Sequence, residues 1–195
     1  AVPPEVSCRV MREGVYRLWP ELGRAPRPRE IATALRMDER EVNRILDAID
    51  GHWSPCGSIE RADKSDRIVF AWPLSNVPTE YLVTIQGSKP VYGRCAIDAL
   101  GMSAMYGRPV EIAATSVASD VAIRITVNGD RVERAEPADA VVWVAGEDCG
   151  CDEMALFANR AELEAWRRAL DKPEGNTLTL AEATKYGVEV FGSRL

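Results

Sequence analysis

The sequence predicts an α+β fold, in which a winged-helix-like helical region is followed by a second domain of mixed or antiparallel β-sheet flanked by helices. Apolar residues recur at helical spacing through residues 6–49, whereas runs rich in Val, Ile and Thr, separated by turn residues, recur from residue 58 onwards. A connector at residues 74–78 follows the first of these runs. The domain boundary is therefore expected near residue 75, which divides the chain into residues 1–75 and 76–195.

Composition excludes several classes of protein. The 195 residues are 46% hydrophobic and 28% charged, which fits a globular chain with a real core. A net charge of -6 argues against nucleic acid as the main partner, because phosphate binding needs a concentrated basic surface. No run approaches the roughly 18 apolar residues of a membrane span, and the N-terminus lacks a signal pattern. A cytoplasmic protein without a membrane partner is expected.

The N-terminal region is expected to begin with three helices. Apolar spacing predicts a short amphipathic helix that is interrupted at Pro20. Pro28 suits the first turn of a second helix, and Asp38 with Glu41 forms a capping box for a third. The second and third helices are joined by a tight turn, so together they predict a helix-turn-helix.

A β-hairpin is expected next. Residues 58–62 and 67–72 have high β propensity and flank a polar turn at residues 63–66. A helix-turn-helix followed by a hairpin is typical of winged helices. Arg40 and Arg44 would suit a DNA reader, but the acidic side chains on the same helix would repel phosphate and favour a structural or dimerising module.

The second domain is expected to alternate strands and helices. The predicted strands are residues 81–85, 110–114, 122–127, 140–145 and 154–158. The predicted helices are one that begins near Cys95 and ends at Gly107, one at residues 160–170 and one at residues 181–186. Asn159 with Glu162 is a plausible capping pair for the second of these helices.

Cys95 and Asp98 place a thiol and a carboxylate three residues apart at the start of an apolar helix. On a helix their Cβ atoms would lie roughly 5–6 Å apart, so the two groups could exchange a proton. The helix start is expected to lower the pKa of Cys95, whereas the neighbouring carboxylate opposes that effect. From spacing alone, a core cysteine beside a solvated aspartate is the commoner arrangement.

Three further features of the cysteines are informative. Cys149 and Cys151 flank a glycine, which fits a soft-metal half-site, a redox pair or a chance pairing; a single His makes a Cys/His zinc site improbable. Cys8 and Cys56 have no evident partner and are interpreted as packing residues. Five cysteines in a chain too long to need disulfide bonds predict reduced thiols.

The run at residues 92–100, followed by Gly107-Arg108 and the predicted strand that ends at residue 127, resembles the alkylmercury (organomercurial) lyases of bacterial mercury resistance. The resemblance continues to Cys151, which stands just upstream of residues 156–158, and it covers residues 80–192 well. It implies catalytic roles for Cys95, Asp98 and Cys151. It also makes these three residues mercury ligands and leaves Cys149 as a further candidate ligand.

The chain departs from the pattern of that family at three places. Arg94 stands where the lyases commonly have Trp, which would change the electrostatics or the access of the thiol. Ser116 corresponds approximately to an additional cysteine of the family that is usually considered structural. Cys149-Gly150-Cys151 replaces adjacent cysteines followed by His residues.

The resemblance implies protonolysis of carbon–mercury bonds, which yields a hydrocarbon and Hg(II) held by Cys95 and Cys151. No separate cofactor is required, and low-molecular-weight thiols or a mercuric reductase would remove the product. Two alternatives stay open. One keeps the fold but acts on another carbon–heteroatom or organometallic compound, with Arg94 recognising an anionic group. The other is a non-catalytic thiolate metal binder or regulator that uses Cys95, Cys149 and Cys151.

Overall fold

The structure, a computed structural model, describes residues 2–52, 55–62, 65–146, 150–151, 154–170 and 175–195. The helical segments are α1 (Pro4–Arg9), a π-helical segment (Val10–Tyr16), α2 (Leu18–Leu22), α3 (Pro28–Leu35), α4 (Glu39–Ile49), α5 (Ala96–Tyr106), α6 (Arg160–Ala169) and α7 (Leu180–Phe191). Within these described ranges, no helix is long and apolar enough to cross a membrane.

The described strands form two antiparallel sheets. They are β1 (Ile59–Arg61), β2 (Ile68–Ala71), β3 (Leu74–Ser75), β4 (Tyr81–Ile85), β5 (Val91–Gly93), β6 (Val110–Thr115), β7 (Ala122–Asn128), β8 (Arg131–Glu136), β9 (Val141–Val144), β10 (Met154–Phe157) and β11 (Asn176–Thr179). The larger sheet has the order β1-β2-β3-β5-β4-β6-β7-β8, and the smaller has the order β10-β9-β11. Helices flank both sheets, so the predicted α+β class with an antiparallel sheet is confirmed.

The N-terminal region contains the predicted helices and the predicted hairpin. The helix around Pro20 continues to Leu22 and ends at Gly23, whose φ of 72° gives a left-handed cap. The break expected at Pro20 is absent because this proline lies in the first turn of α2, where proline is tolerated. Helices α3 and α4 form the helix-turn-helix, and β1 pairs antiparallel with β2.

The hairpin is continuous with the rest of the larger sheet. Strand β3, at the expected domain boundary, pairs with β2 on one side and with β5 on the other. Strand β5 leads directly into α5, which is the helix that begins after Cys95. One sheet therefore joins the hairpin to the start of α5, and the boundary near residue 75 stays a prediction.

Helices α5 and α7 cross at very close range. A Cβ atom added to Gly187 on α7 would lie 2.8 Å from the Cα of Gly101 on α5, so only glycine fits both positions. Nearly every residue of α5 is buried, including Leu100 and Met102, which are fully inaccessible to solvent. The close crossing holds α7 across the first turns of α5, beside Cys95 and Asp98.

Cys8 and Cys56 form a disulfide, which corrects the prediction that they are unpaired packing residues and, for this pair, the prediction of reduced thiols. Their Cα atoms lie 5.1 Å apart across 48 residues of sequence, a separation that a disulfide spans readily. The prediction was wrong because fold topology brings α1 against the segment that precedes β1. Nothing in the local sequence around either cysteine indicates that contact.

Candidate active site

Cys95 lies where β5 passes into α5 and acts as the N-cap of that helix. Its backbone is extended, and its Sγ accepts a hydrogen bond from the backbone N–H of Asp98 over 3.5 Å. Only 1% of the residue is exposed. The sulfur is thus fixed at the helix start, as predicted, but it is removed from solvent.

Asp98 and Cys151 complete a three-residue cluster with Cys95. Asp98 is in the first turn of α5 and is 3% exposed. Cys151, which precedes β10, places its Sγ 3.5 Å from the Oδ2 of Asp98. The ligand atoms of all three residues lie within 4.8 Å of one another. The fold therefore brings together the three residues that the sequence analysis singled out, although Cys151 follows Asp98 by 53 residues.

Trp72 and Arg94 form one side of the cluster. The Nε1–H of Trp72 donates to the Sγ of Cys151 over 3.3 Å. The guanidinium of Arg94 lies 4.4 Å from the ring centroid of Phe70 and 4.2 Å from that of Trp72, which are cation–π contacts. From the sequence, Arg94 was noted as a departure from the family and as a candidate for recognising an anionic group, whereas Trp72 was assigned no role. The signal available for Trp72 was its position at the end of the predicted hairpin.

A pocket of about 300 Å³ opens beside the cluster. Its apolar wall consists of Ile97, Met154 and three side chains of α7, namely Tyr186, Val190 and Phe191. Arg94, Asp98 and Cys151 line the same pocket. A small, mainly apolar molecule would therefore meet the thiol and the carboxyl together.

The thiol of Cys151 has a lowered pKa. The main cause is a hydrogen bond from Cys95, and the Trp72 N–H and the positive charge of Arg94 add to its effect. Partial burial opposes them, but the pKa of Cys151 still falls to about 6. Each of these groups stabilises the thiolate over the thiol. At neutral pH Cys151 is therefore largely a thiolate.

Cys95 and Asp98 have raised pKa values. Burial raises the pKa of Cys95 well above its ordinary value, and the hydrogen bond with Cys151 and the carboxylate of Asp98 raise it further. Burial also raises the pKa of Asp98, and the negative charge of Cys151 adds to the effect. The expectation that the helix start would lower the pKa of Cys95 is wrong, because desolvation outweighs the helix dipole. Cys95 and Asp98 are the proton holders of the cluster, and Cys151 is its anion.

A third sulfur reaches the cluster from β10. The Sδ of Met154 lies 3.9 Å from the Sγ of Cys95, so the two sulfur atoms are in contact. From the sequence, Met154 was predicted to lie in a strand and was assigned no role. The only sequence feature that could have indicated a role for Met154 was its position three residues after Cys151.

Of the two remaining candidates, Ser116 lies apart from this cluster. Cys149 falls outside the described residues, so its candidate role as a metal ligand stays a prediction. Ser116 donates to the carboxylate of Glu162 and accepts from the N–H of Ala158 over 3.3 Å, which joins the end of β6 to the start of α6. Ser116 therefore has a structural contact here.

Comparison with known proteins adds independent information. The family model described as alkylmercury lyase matches residues 74–192, and a second model, Sigma-70 region 3, matches residues 9–52. The alkylmercury lyase of Staphylococcus epidermidis is 28% identical over 165 residues, which cover 81% of this chain and 71% of that protein. The alkylmercury lyase of Bacillus cereus is 29% identical over 173 residues, covering 85% of this chain and 73% of that protein.

A solved structure shares the fold. The mercury-bound form of MerB2 superposes with a TM-score of 0.74 at 21% identity, covering 97% of this chain and 91% of that chain. The region matched by the first family model begins at β3 and contains Cys95, Asp98 and Cys151. This match extends over more than half of the 195 residues, so the chain belongs to the alkylmercury lyase family.

Proposed function

We propose that this protein cleaves the carbon–mercury bond of small organomercurials by protonolysis, giving a hydrocarbon and Hg(II). The observation that carries the proposal is the cluster of Cys95, Asp98 and Cys151, whose ligand atoms lie within 4.8 Å of one another beside an apolar pocket. Thiolates are the ligands that soft metal ions prefer, and a carboxyl can deliver a proton. The cluster therefore supplies both requirements of the reaction.

The first step is attack by Cys151. Its lowered pKa makes it the better nucleophile of the two thiols at neutral pH. The thiolate binds the mercury of R–Hg–X and displaces X, which leaves with its electron pair. The organic group R then occupies the apolar pocket next to Asp98.

The second step is proton transfer to carbon. Asp98, whose raised pKa keeps its proton available, protonates the carbon and takes a replacement proton from the thiol of Cys95. The carbon–mercury bond breaks as the C–H bond forms, and the sulfur of Cys95 becomes the second ligand of mercury. One proton is consumed and R–H is released.

The third step is removal of Hg(II). Two molecules of a low-molecular-weight thiol exchange with Cys95 and Cys151 and carry the metal away. The two thiols release two protons: one restores the thiol of Cys95, and the other goes to solvent, because Cys151 returns to its thiolate form.

The test is release of benzene from phenylmercury by the wild-type protein and by Asp98→Asn, both with excess thiol. The wild-type protein should release benzene, and the variant should be slower by at least about 100-fold, since general acid catalysis contributes that much or more. Asp120→Asn, at an exposed aspartate that does not line the pocket, is the matched control and should remain active.

Binding of Hg(II) is measured on the same proteins and should persist in Asp98→Asn, because both sulfurs remain. If the wild-type protein binds Hg(II) through Cys95 and Cys151 but releases no hydrocarbon, the lyase proposal is overturned and a thiolate metal binder is favoured.

A further inference from the structure

Met154 lies beside the cluster of Cys95, Asp98 and Cys151, although its side chain is uncharged and has no titratable proton. It begins β10, lines the same pocket as Asp98 and Cys151, and brings its Sδ to 3.9 Å from the Sγ of Cys95. The pocket wall near Cys95 is therefore made of sulfur and not of hydrocarbon alone.

The commonest role of methionine is to fill gaps in a core, and two other methionines of this chain do so. Met102 and Met105 on α5 are almost completely buried and lie outside the pocket. Met154 differs from them because it is only partly buried and faces the cavity. Its sulfur is thus available to a molecule that enters the pocket.

The chemistry of a thioether suits a soft metal ion. Methionine sulfur is polarisable and, like the cysteine thiolate, belongs to the soft ligands. A thioether donates a lone pair without first losing a proton, so it would not compete with Asp98 and Cys95 for the proton that the reaction uses. Coordination by Met154 would form one Hg–S contact in place of its contact with the thiol of Cys95, which has already lost its proton when mercury is bound.

We propose that Met154 is a third sulfur ligand of mercury in this site, contacting the Hg(II) that Cys95 and Cys151 hold. This inference rests on the proposed function, since it concerns the ion that the cleavage reaction produces. The thioether supports the metal on the side of Cys95 and slows its loss to external thiols.

The experiment compares the wild-type protein with Met154→Leu, which keeps an apolar side chain of similar volume but removes the sulfur. Each protein is loaded with one equivalent of Hg(II), and release to glutathione is followed by stopped-flow absorbance of the mercury–thiolate bands. We expect release from Met154→Leu to be faster by about tenfold, a size typical of lost support around a metal site. Met105→Leu is the matched control and should release Hg(II) at the wild-type rate.

A spectroscopic measurement identifies the ligand directly. Protein in which methionine is replaced by selenomethionine is loaded with Hg(II), and X-ray absorption at the mercury edge is recorded. A selenium scatterer should appear in the first coordination sphere of labelled wild-type protein and of labelled Met105→Leu. It should be absent from labelled Met154→Leu.

Failure of this inference differs from failure of the proposed function. An unchanged release rate in Met154→Leu together with no selenium scatterer, in a wild-type protein that releases benzene, overturns the role of Met154 alone. A wild-type protein that releases no benzene but shows the selenium scatterer overturns the lyase proposal and retains Met154 as a ligand.

Discussion

Cys95, Asp98 and Cys151 differ in protonation because they differ in burial and in their hydrogen-bond donors. Cys95 and Asp98 are 1% and 3% exposed, which favours their neutral forms. Cys151 is less buried and has the N–H of Trp72 and the charge of Arg94 beside it. The cluster therefore places a thiolate and two protonated groups within a few ångströms of one another.

The lowered pKa of Cys151 gives a testable dependence on pH. Thiolate is the reactive form, so alkylation of Cys151 by iodoacetamide should rise as the pH passes upward through about 6. Trp72→Phe removes the N–H that donates to the Sγ of Cys151 over 3.3 Å. The midpoint of the alkylation rate against pH should therefore rise by about 1–2 pH units, because a hydrogen bond to a charged group is worth about 1.5–3 kcal/mol.

The measurement is the rate of alkylation at Cys151, quantified by peptide mass spectrometry between pH 4 and pH 10. Trp166→Phe is the control, since Trp166 packs against Trp143 and Phe157 away from the pocket, and its midpoint should match the wild type. A wild-type midpoint near the ordinary thiol value of about 8.5 would contradict the proposed charge distribution.

At the residue scale the sequence predicted which side chains would cluster but not their charges. Cys95 and Asp98 are three residues apart, so helical geometry alone places them on one face. Their pKa values depend on desolvation, which follows from the packing of distant elements such as α7. Local sequence therefore indicated a lowered pKa for Cys95, whereas the folded protein raises it.

At the scale of elements, the crossing of α5 and α7 decides the shape of the pocket. Helix α5 supplies Asp98, and α7 supplies Tyr186, Val190 and Phe191 to the wall. The two helices approach closely because glycine occupies both sides of the contact at residues 101 and 187. Any side chain at this crossing would move the apolar wall away from the carboxyl.

Gly187→Ala should therefore reduce both stability and activity. The added Cβ would lie 2.8 Å from the Cα and N of Gly101 and 2.9 Å from the carbonyl oxygen of Ile97, and backbone atoms cannot rotate aside. Overpacking of this kind costs about 1–3 kcal/mol. The free energy of unfolding measured in urea should fall by that amount. The value of kcat/KM for phenylmercury should also fall, because α7 shifts.

Gly146→Ala is the matched control, because the Cβ that it would add has no heavy atom of another described residue within 4 Å, apart from its chain neighbours. This variant should unfold at nearly the wild-type urea concentration. Equal stability of Gly187→Ala and Gly146→Ala would contradict the close crossing of the two helices.

Elements with strong local signals were predicted well, and elements without such signals were missed. Strands β4, β6 and β7 alternate buried with less buried residues and are bounded by turn residues, and all three were predicted. Strand β8 was missed because it lies at the sheet edge and is largely exposed, so that it lacks apolar alternation. Strand β5 has only three residues, too few to establish a period.

At the scale of the whole molecule, the site is assembled from segments far apart in sequence. Trp72 follows β2, Asp98 lies on α5, Cys151 precedes β10, and Phe191 ends α7. Only the family resemblance could join Cys151 to Cys95, because no local pattern spans that separation. Trp72 was assigned no role because its contact with Cys151 forms only when the fold brings the end of β2 next to the residue that precedes β10.

The Cys8–Cys56 disulfide connects the N-terminal helices to this assembly. Gly57, next to Cys56, lies against the hydroxyl of Tyr16, and that hydroxyl donates to the carbonyl oxygen of Trp72 over 3.0 Å. Trp72 in turn donates to Cys151. A continuous series of contacts thus runs from the disulfide to Cys151.

Removing this disulfide should destabilise the whole fold. A loop closed over 48 residues corresponds to about 4 kcal/mol in the chain-entropy model. The free energy of unfolding measured in urea should therefore be larger for the oxidised wild type than for a Cys8→Ala/Cys56→Ala double variant, by an amount of this order. The wild type in excess reductant should unfold at nearly the same urea concentration as the double variant, because both lack the covalent link. Equal unfolding midpoints for oxidised and reduced wild type would contradict a stabilising disulfide, and detection of two free thiols at residues 8 and 56 in the oxidised protein would contradict the bond itself.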